Sequence, residues 1–264
     1  MTNKVIWITG GSSGIGKALA YKFANEGWQV AISARREELL NEISKSNNNI
    51  HSFPLDVLDS EKCKDVFKKI VNKFKNVDIA LFSTGIHDPK SEKTLNLEKI
   101  RSIMETNFFG TINSINSVYD YFKERKSGHI SIVSSVAGYR GLPTGGGYCA
   151  SKSALTSYAE SLYFDMKRSN VRVSVVNPGF IKTPMTDQND FSMPMIKSAE
   201  FAANETFKGL TKSNSFEIHF PKKFTLIMKV LKIMPNWLYL KLIKKGMILL
   251  VVSFSGKTLS VLQL

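Results

Sequence analysis

The sequence predicts an α/β protein: a Rossmann-like, doubly wound parallel sheet of about seven strands with helices on both faces. Short β-branched runs alternate with longer helical patterns up to about residue 220, as in repeated βαβ units. A glycine cluster also separates the first strand from the first helix. The predicted strands are residues 4–9, 29–33, 50–55, 77–82, 130–134, 171–177 and 216–220. The predicted helices are residues 15–26, 37–44, 61–74, 97–125, 148–168 and 199–212.

The composition is typical of one globular domain with an elaborated end. With 264 residues, of which 43% are hydrophobic and 22% charged, the chain fits a single Rossmann-type domain over residues 1–264. Residues 184–200 show Pro, Met, Asn and Asp without clear periodicity, which predicts a substrate lid loop. Residues 221–264 form a basic, apolar C-terminal extension.

The cysteines and the first residues favour a cytoplasmic protein. Cys63 and Cys149 show no metal-ligand spacing, so we expect no metal site and assign both to apolar packing. The first strand is followed by glycines rather than by a long apolar segment with a cleavage site. A reducing compartment is therefore the expected location.

The net charge of +14 is concentrated at the C-terminal end. Eight lysines lie between Lys222 and Lys257 among apolar residues, and no Asp or Glu follows Glu217. This mixture favours peripheral contact with a membrane surface, with packing on the protein's own substrate cleft and an oligomer contact as alternatives. The uncharged run 246–256 is too short to span a bilayer. In residues 223–234 apolar side chains recur near helical spacing: Phe224, Ile227, Val230, Leu231 and Met234.

The glycine loop lies where a dinucleotide pyrophosphate binds in such sheets. It reads Thr9-Gly10-Gly11-Ser12-Ser13-Gly14-Ile15-Gly16. Glycines allow close backbone approach, and the N–H groups and dipole of the following helix favour negative charge. A tight strand-to-helix turn without a ligand is the structural alternative.

The end of the second strand favours NADPH over NADH. An acidic residue usually binds the adenosine ribose there in NAD-binding sheets, but this chain reads Ser33-Ala34-Arg35-Arg36. Two guanidinium groups would bind the 2′-phosphate of NADPH. A solvated arginine pair is the alternative. The missing acid argues against a methyltransferase, and Ala18 after Lys17 argues against a P-loop ATPase.

A tyrosine followed four residues later by a lysine places both side chains on one helix face, where the ammonium lowers the pKa of the phenol. The sequence contains three such pairs: Tyr119/Lys123, Tyr148/Lys152 and Tyr163/Lys167. Only Tyr148/Lys152 opens a helix shortly after an apolar strand, and that strand ends near Ser135. Since ligands bind at the carboxyl ends of parallel strands, Ser135 and Tyr148 are expected to converge on one site.

Together these motifs resemble the short-chain dehydrogenase/reductase family over nearly all of residues 1–220. The family's order is matched by the glycine loop, Leu55-Asp56-Val57, Asn107, Ser135 with Tyr148 and Lys152, and the run Asn177-Pro178-Gly179-Phe180-Ile181-Lys182-Thr183. One departure is Ser83-Thr84-Gly85, where the family usually has asparagine before Ala-Gly. The thirteen-residue spacing to Tyr148 that the family shows selects Ser135 over Ser134.

The resemblance implies a role for each matching residue. Tyr148 would donate the proton, Ser135 would bind the substrate oxygen, Lys152 would bind the nicotinamide ribose, and Asn107 would hold a water. Asp56 would accept from adenine, and Thr183 would contact the carboxamide. The cofactor-binding set is Gly10, Ser12, Ser13, Gly14, Ile15, Gly16, Arg35, Arg36, Asp56, Val57, Gly85, Tyr148, Lys152, Pro178, Gly179, Ile181 and Thr183. Homodimers or homotetramers are expected.

The sequence thus predicts an NADPH-dependent reductase of a hydrophobic, lipid-like ketone or aldehyde, or a dehydrogenase in the reverse direction. Apolar surface for the substrate comes from the lid and the extension: Met185, Phe191, Met193, Met195, Trp237 and Leu238. A non-catalytic NADPH-binding sensor or scaffold at a membrane surface is the alternative. Nucleic-acid binding ranks last, because only charge supports it.

Overall fold

A computed structural model describes residues 4–89 and 93–244 and confirms the predicted fold class. The seven strands are all parallel, in the order β3-β2-β1-β4-β5-β6-β7. They are β1 Val5–Thr9, β2 Gln29–Ser33, β3 Ile50–Ser52, β4 Ile79–Phe82, β5 His129–Val133, β6 Arg172–Pro178 and β7 Glu217–Phe220. The order reverses between β1 and β4, so a crevice opens at their carboxyl ends.

The helices lie on both faces of the sheet. They are α1 Gly14–Asn25, α2 Glu37–Lys45, α3 Ser60–Phe74, α4 Leu97–Met104, α5 Gly110–Arg125, α6 Gly146–Lys167, α7 Ala199–Lys212, α8 Lys222–Ile233 and α9 Asn236–Lys244. Successive side chains of β1 point to opposite faces of the sheet. Val5 and Trp7 pack under α3, α5 and α6, whereas Ile6 and Ile8 pack under α1, α2 and α7.

Two predicted elements differ from the structure by more than two residues at an end or by an interruption. The third strand was expected to reach Leu55 but ends at Ser52, because Pro54 has no N–H to donate to the ladder. The backbone N–H groups of Phe53 and Leu55 still donate to the carbonyls of Ile32 on β2 and of Ala34 just after it, at 2.9 and 3.0 Å. The predicted helix 97–125 is interrupted by a π-helical turn, Glu105–Phe109.

The structure divides the apolar stripe that the sequence predicts at residues 223–234 between a buried and an exposed side. Phe224 and Leu231, counted in the predicted membrane-facing stripe, are buried in a third apolar cluster with Val136 and Tyr139. The inner face of α8 therefore packs against the rest of the domain. No helix among residues 4–89 and 93–244 is long and apolar enough to cross a bilayer. The run 246–256 lies outside the described residues.

Candidate active site

The glycine loop joins β1 to α1 in a conformation that requires glycine. Gly10 and Gly14 have φ angles of +71° and +54°, in the left-handed region that disfavours residues with a Cβ. A Cβ on Gly10 would lie 2.8 Å from the backbone of Ser83, and one on Gly16 would collide with the carbonyl oxygen of Gly10. The loop is therefore packed against β4, and its backbone faces the crevice.

The first turn of α1 fits a phosphate. Ser13 occupies the N-cap position without a side-chain cap, and no acidic residue lies in the first turn. Positive charge comes from Arg36, whose Nη2 donates to Ser12 Oγ at 3.0 Å and to Ser13 Oγ at 3.1 Å. Free N–H groups, a helix dipole and a guanidinium together make an anion-binding end.

A cavity of about 310 Å³ brings the predicted residues together. Its lining includes Ser135 and the whole predicted cofactor-binding set, from the glycine loop and Arg35 to Thr183. Further lining residues, not predicted as site residues by the sequence, are Ala34, Leu55, Ser83, Thr84, Ile86, Thr106, Val133, Ser134, Pro184 and Thr186. Met185, predicted on the substrate side, also lines this cavity. The donors and glycines present fit a nicotinamide dinucleotide.

Asp56 and Thr183 lie at loops that are fixed by local hydrogen bonds. Asp56 Oδ1 accepts from the backbone N–H of Leu58 at 3.1 Å, so the carboxylate is held after β3. The backbone N–H of Thr183 donates to Thr186 Oγ1 at 2.9 Å, which closes a turn after β6. Both residues line the cavity.

Lys152 is the buried cation of the site. Only 4% of its surface is exposed, and its Nζ donates to the backbone carbonyl of Val133 at 3.0 Å. The same ammonium lies 5.7 Å from the centre of the Tyr148 ring. Burial lowers the pKa of Lys152 from 10.5 to about 8, because a charge is costly away from water.

The structure separates the three Tyr/Lys pairs. Tyr148 and Lys152 line the cavity, one turn apart at the start of α6. The pairs Tyr119/Lys123 and Tyr163/Lys167 have ring-to-ammonium distances of 5.4 Å each, but none of these residues lines it. Position relative to the strand ends distinguishes the pairs, whereas local geometry does not.

Ser134 and Ser135 have different partners. Ser134 is buried and donates to the backbone carbonyl of Lys152 at 2.7 Å, which ties β5 to α6. Ser135 is half-buried at the cavity, where its Oγ accepts from the backbone N–H of Ala137 at 3.1 Å. The Ser134 hydroxyl is thus bonded to α6, whereas Ser135 Oγ is bonded within its own turn.

Asn107 lies behind the cavity, on the π-helical turn. Its Nδ2 donates to the carbonyl of Ile86 and to Ser151 Oγ, both at 3.0 Å, and its Oδ1 accepts from the Ile86 N–H at 2.7 Å. A Cβ on Gly85 would lie 3.4 Å from Asn107 Oδ1 and 3.5 Å from Lys152 Nζ. Asn107 therefore holds the segment after β4 close to the Lys152 ammonium.

His87 is a residue at the site that the sequence interpretation missed. Its ring lies 4.4 Å from the Tyr148 ring, centre to centre, at an interplanar angle of 32°. Burial lowers the pKa of His87 and so favours a neutral imidazole, while the nearby Asp88 has a smaller, opposing effect. Its position five residues after the end of β4, at the carboxyl edge of the sheet, was a signal available in the sequence.

Comparison with known proteins assigns the family. The family model described as short chain dehydrogenase matches residues 4–192. An uncharacterized oxidoreductase of Myxococcus xanthus is 30% identical over 243 residues, covering 90% of this chain and 96% of the relative. This chain belongs to the short-chain dehydrogenase/reductase family. It is therefore an oxidoreductase of a class that uses a nicotinamide dinucleotide, as the sequence predicted.

Solved structures of low identity share the fold. A short-chain dehydrogenase from Streptomyces avermitilis superposes with a TM-score of 0.78 at 21% identity, covering 96% of this chain and 100% of that one. One from Burkholderia cenocepacia in complex with NADP gives 0.78 at 23% identity, covering 91% and 97%. Both extend beyond the region matched by the family model, so the shared fold reaches past residue 192.

Proposed function

We propose that this protein is an NADPH-dependent carbonyl reductase, and an alcohol dehydrogenase in reverse, in which Tyr148 is the general acid and base. One observation carries the proposal. Tyr148 and the buried Lys152 line the same cavity as the glycine loop and the two arginines. A phenol with a neighbouring cation is thus placed at the carboxyl edge of the sheet, beside a dinucleotide-shaped groove.

The bound nicotinamide would supply hydride to the carbonyl carbon. Tyr148 donates its phenolic proton to the carbonyl oxygen, and Ser135 donates a hydrogen bond to the same oxygen as negative charge develops. Lys152 places a positive charge 5.7 Å from the centre of the Tyr148 ring, which favours the phenolate electrostatically, and it binds the ribose hydroxyls. Asn107, through Ile86, keeps the segment after β4 in place beneath this group.

The preference for NADPH rests on the end of β2. Ser33 is buried, and its Oγ accepts a hydrogen bond from Trp7 Nε1 at 2.9 Å, so this hydroxyl is engaged in the core rather than at the cofactor site. Arg35 and Arg36 line the cavity, and Arg36 already bonds to the glycine loop. Two guanidinium groups with no carboxylate at the strand end favour a 2′-phosphate over free ribose hydroxyls. The NADP complex of the Burkholderia relative supports the same choice.

A hydrophobic substrate is favoured by the apolar side of the cleft. Met185 lines the cavity, and Phe180 lies 5.9 Å from Phe191 and 5.4 Å from Phe224, ring centre to ring centre. These rings connect the lid 184–200 to α8. Trp237, which was predicted to supply apolar surface to the substrate, does not support this proposal. Its side chain is 69% exposed and lies outside the third apolar cluster.

The test is NADPH consumption by the purified protein with a panel of carbonyl compounds, from short polar ketones to long-chain ketones and aldehydes. We expect kcat/KM to rise with apolar chain length, because each methylene buried on binding makes the free energy of binding more favourable by about 0.8 kcal/mol. Bound NADPH without turnover of any member of the panel would contradict the proposal.

A non-catalytic NADPH-binding sensor or scaffold at a membrane surface is the second candidate. The exposed apolar residues of α8 and α9 favour it. Tyr148→Phe distinguishes the two, since a sensor keeps its function without the phenolic proton.

For either candidate we propose a cytoplasmic homodimer or homotetramer. Light scattering on the purified chain would test the oligomeric state.

A further inference from the structure

Helix α8 is apolar on two opposite faces. Phe224, Met228 and Leu231 are buried in the third apolar cluster. On the outer side Leu226, Val230 and Ile233 are 55%, 57% and 83% exposed. Their spacing of four and then three residues places them in one stripe along the helix. A helix on the surface of a soluble domain normally carries polar residues on that side.

Helix α9 adds an exposed Trp237 and an exposed Leu240. We call Leu226, Val230, Ile233, Trp237 and Leu240 the outer apolar face. These five are among the twelve large hydrophobic side chains that are exposed in residues 4–89 and 93–244, and they fall on two short helices. Such a concentration marks a surface that binds something.

The charged residues on α8 and α9 are all lysines. Lys222, Lys223, Lys241 and Lys244 are exposed on α8 and α9, and these two helices contain no carboxylate. Lys229 is bound to Glu217 at 2.6 Å, so it contributes less free charge. Apolar side chains, one tryptophan and surrounding lysines are the combination that binds anionic lipid surfaces.

The same charge argues against a second copy of this chain as the occupant. Two outer apolar faces brought together would also bring their lysines together without any carboxylate in α8 or α9 to compensate. A lipid bilayer with anionic headgroups satisfies both the apolar stripe and the lysines. It also requires no complementary shape, which suits a narrow stripe on two short helices.

The two helices are firmly attached beside the active site. Arg140, five residues after Ser135, donates from Nη1 to the carbonyls of Leu231 at 3.1 Å and Lys232 at 3.0 Å. Its guanidinium also lies 4.1 Å from the centre of the Tyr239 ring. A membrane bound by the outer face would therefore lie at a fixed position relative to the cleft.

We propose that the outer apolar face and its lysines dock this protein on an anionic lipid bilayer, next to the cleft. The proposal does not depend on the proposed reaction. The sequence beyond Lys244 contains an apolar run, residues 247–252, which is a competing occupant of the same face. A test must therefore use the full chain.

The experiment is co-sedimentation of the full chain with vesicles of phosphatidylcholine, with or without phosphatidylglycerol. Trp237 provides a second readout, because Trp7 and Trp28, the other tryptophans of the sequence, are buried. We expect binding to the anionic vesicles only, a blue shift of tryptophan emission on binding, and loss of binding as salt rises.

The test variant is Leu226→Ser with Ile233→Ser, which keeps Trp237 as reporter. We expect at least a tenfold loss of partitioning, whereas the control pair Leu95→Ser with Phe164→Ser, exposed elsewhere on the molecule, binds like wild type. Thermal melting checks that both variants are folded. Undiminished binding by the test variant, or equal binding to neutral vesicles, overturns the proposal.

Two other outcomes assign the face to a different occupant and also overturn the proposal. A dimer that the test variant abolishes would assign it to a second copy of the chain. Vesicle binding that emerges only when residues 245–264 are removed would assign it to the chain's own end.

Discussion

The ammonium of Lys152 lies 5.7 Å from the centre of the Tyr148 ring and is held there by a 3.0 Å hydrogen bond to the Val133 carbonyl. Because Lys152 is almost fully buried, its field on the phenol is weakly screened. The same burial lowers the pKa of Lys152 to about 8. The site thus keeps a cation close to the phenol at a cost to the free energy of folding.

We expect Lys152→Met to unfold at a higher temperature than wild type at pH 7 while losing activity. In the folded state Lys152 has a pKa of about 8, against an ordinary value of 10.5. Below pH 8 the amine is charged in both the folded and the unfolded state, and burying that charge opposes folding of wild type by on the order of 3 kcal/mol. The variant escapes this cost but loses the hydrogen bond to Val133, worth about 1 kcal/mol, so its net gain in stability is smaller. As pH rises from about 8 to 10.5 the penalty disappears, so the difference should nearly vanish near pH 10.

Thermal unfolding of both proteins at neutral and alkaline pH measures this difference. Exposed Lys69→Met is the control, for which we expect no pH-dependent difference from wild type. A Lys152→Met protein that is less stable than wild type at pH 7 would mean that the ammonium is stabilised by its surroundings rather than strained by burial.

Arg36→Ala should weaken NADPH binding by tenfold or more, as expected for loss of a charge-assisted hydrogen bond worth roughly 1.5–3 kcal/mol. NADH binding should weaken less than NADPH binding, because only NADPH carries the 2′-phosphate. Arg35→Ala should have the smaller effect, because Arg36 is the arginine that contacts Ser12 and Ser13. Fluorescence titration with both cofactors measures each constant. Equal losses for NADPH and NADH would show that Arg36 supports the loop rather than a 2′-phosphate.

His87→Ala should lower kcat/KM about fivefold, since an aromatic pair contributes roughly 1 kcal/mol. His87→Phe keeps a ring against Tyr148 and should remain within twofold of wild type. Steady-state kinetics with a carbonyl substrate compares the two variants. An equal loss in both would mean that the imidazole nitrogens, rather than the ring contact, serve the reaction.

The fold was predictable because each layer has its own period in the sequence. Strand β1 reads as an unbroken apolar run since both its faces are covered, Val5 and Trp7 on one side and Ile6 and Ile8 on the other. The intervening helices show the 3.6-residue period, and the glycine loop marks where strand and helix meet. These are local signals, and they fix the order of the elements.

The placement of Asn107 was not predictable from periodicity. The sequence of residues 97–125 has one continuous helical pattern, yet the chain forms a π-helical turn at Glu105–Phe109. The turn is tied to tertiary contacts: Asn107 bonds to Ile86 across the site, and Gly110 packs against Val57 with no room for a Cβ. Such a turn often accompanies functional sites.

The C-terminal helices and His87 show the same limit. Spacing alone identified an apolar stripe on α8, but it could not show that Phe224 and Leu231 face inward while Ile233 faces out. For His87 the sequence offered only its position after β4, and the contact of its ring with Tyr148 follows from the fold. Positions that depend on which elements meet in space require the structure.

The most direct measurement is the rate of NADPH-dependent carbonyl reduction by Tyr148→Phe beside Tyr119→Phe, which removes the hydroxyl from a tyrosine with the same lysine spacing. We expect Tyr148→Phe to lose at least about a hundredfold in kcat while still binding NADPH, because general acid catalysis contributes roughly 10²–10⁴-fold. Tyr119→Phe should react like wild type. Full activity in Tyr148→Phe would contradict the assignment of this tyrosine as the proton donor.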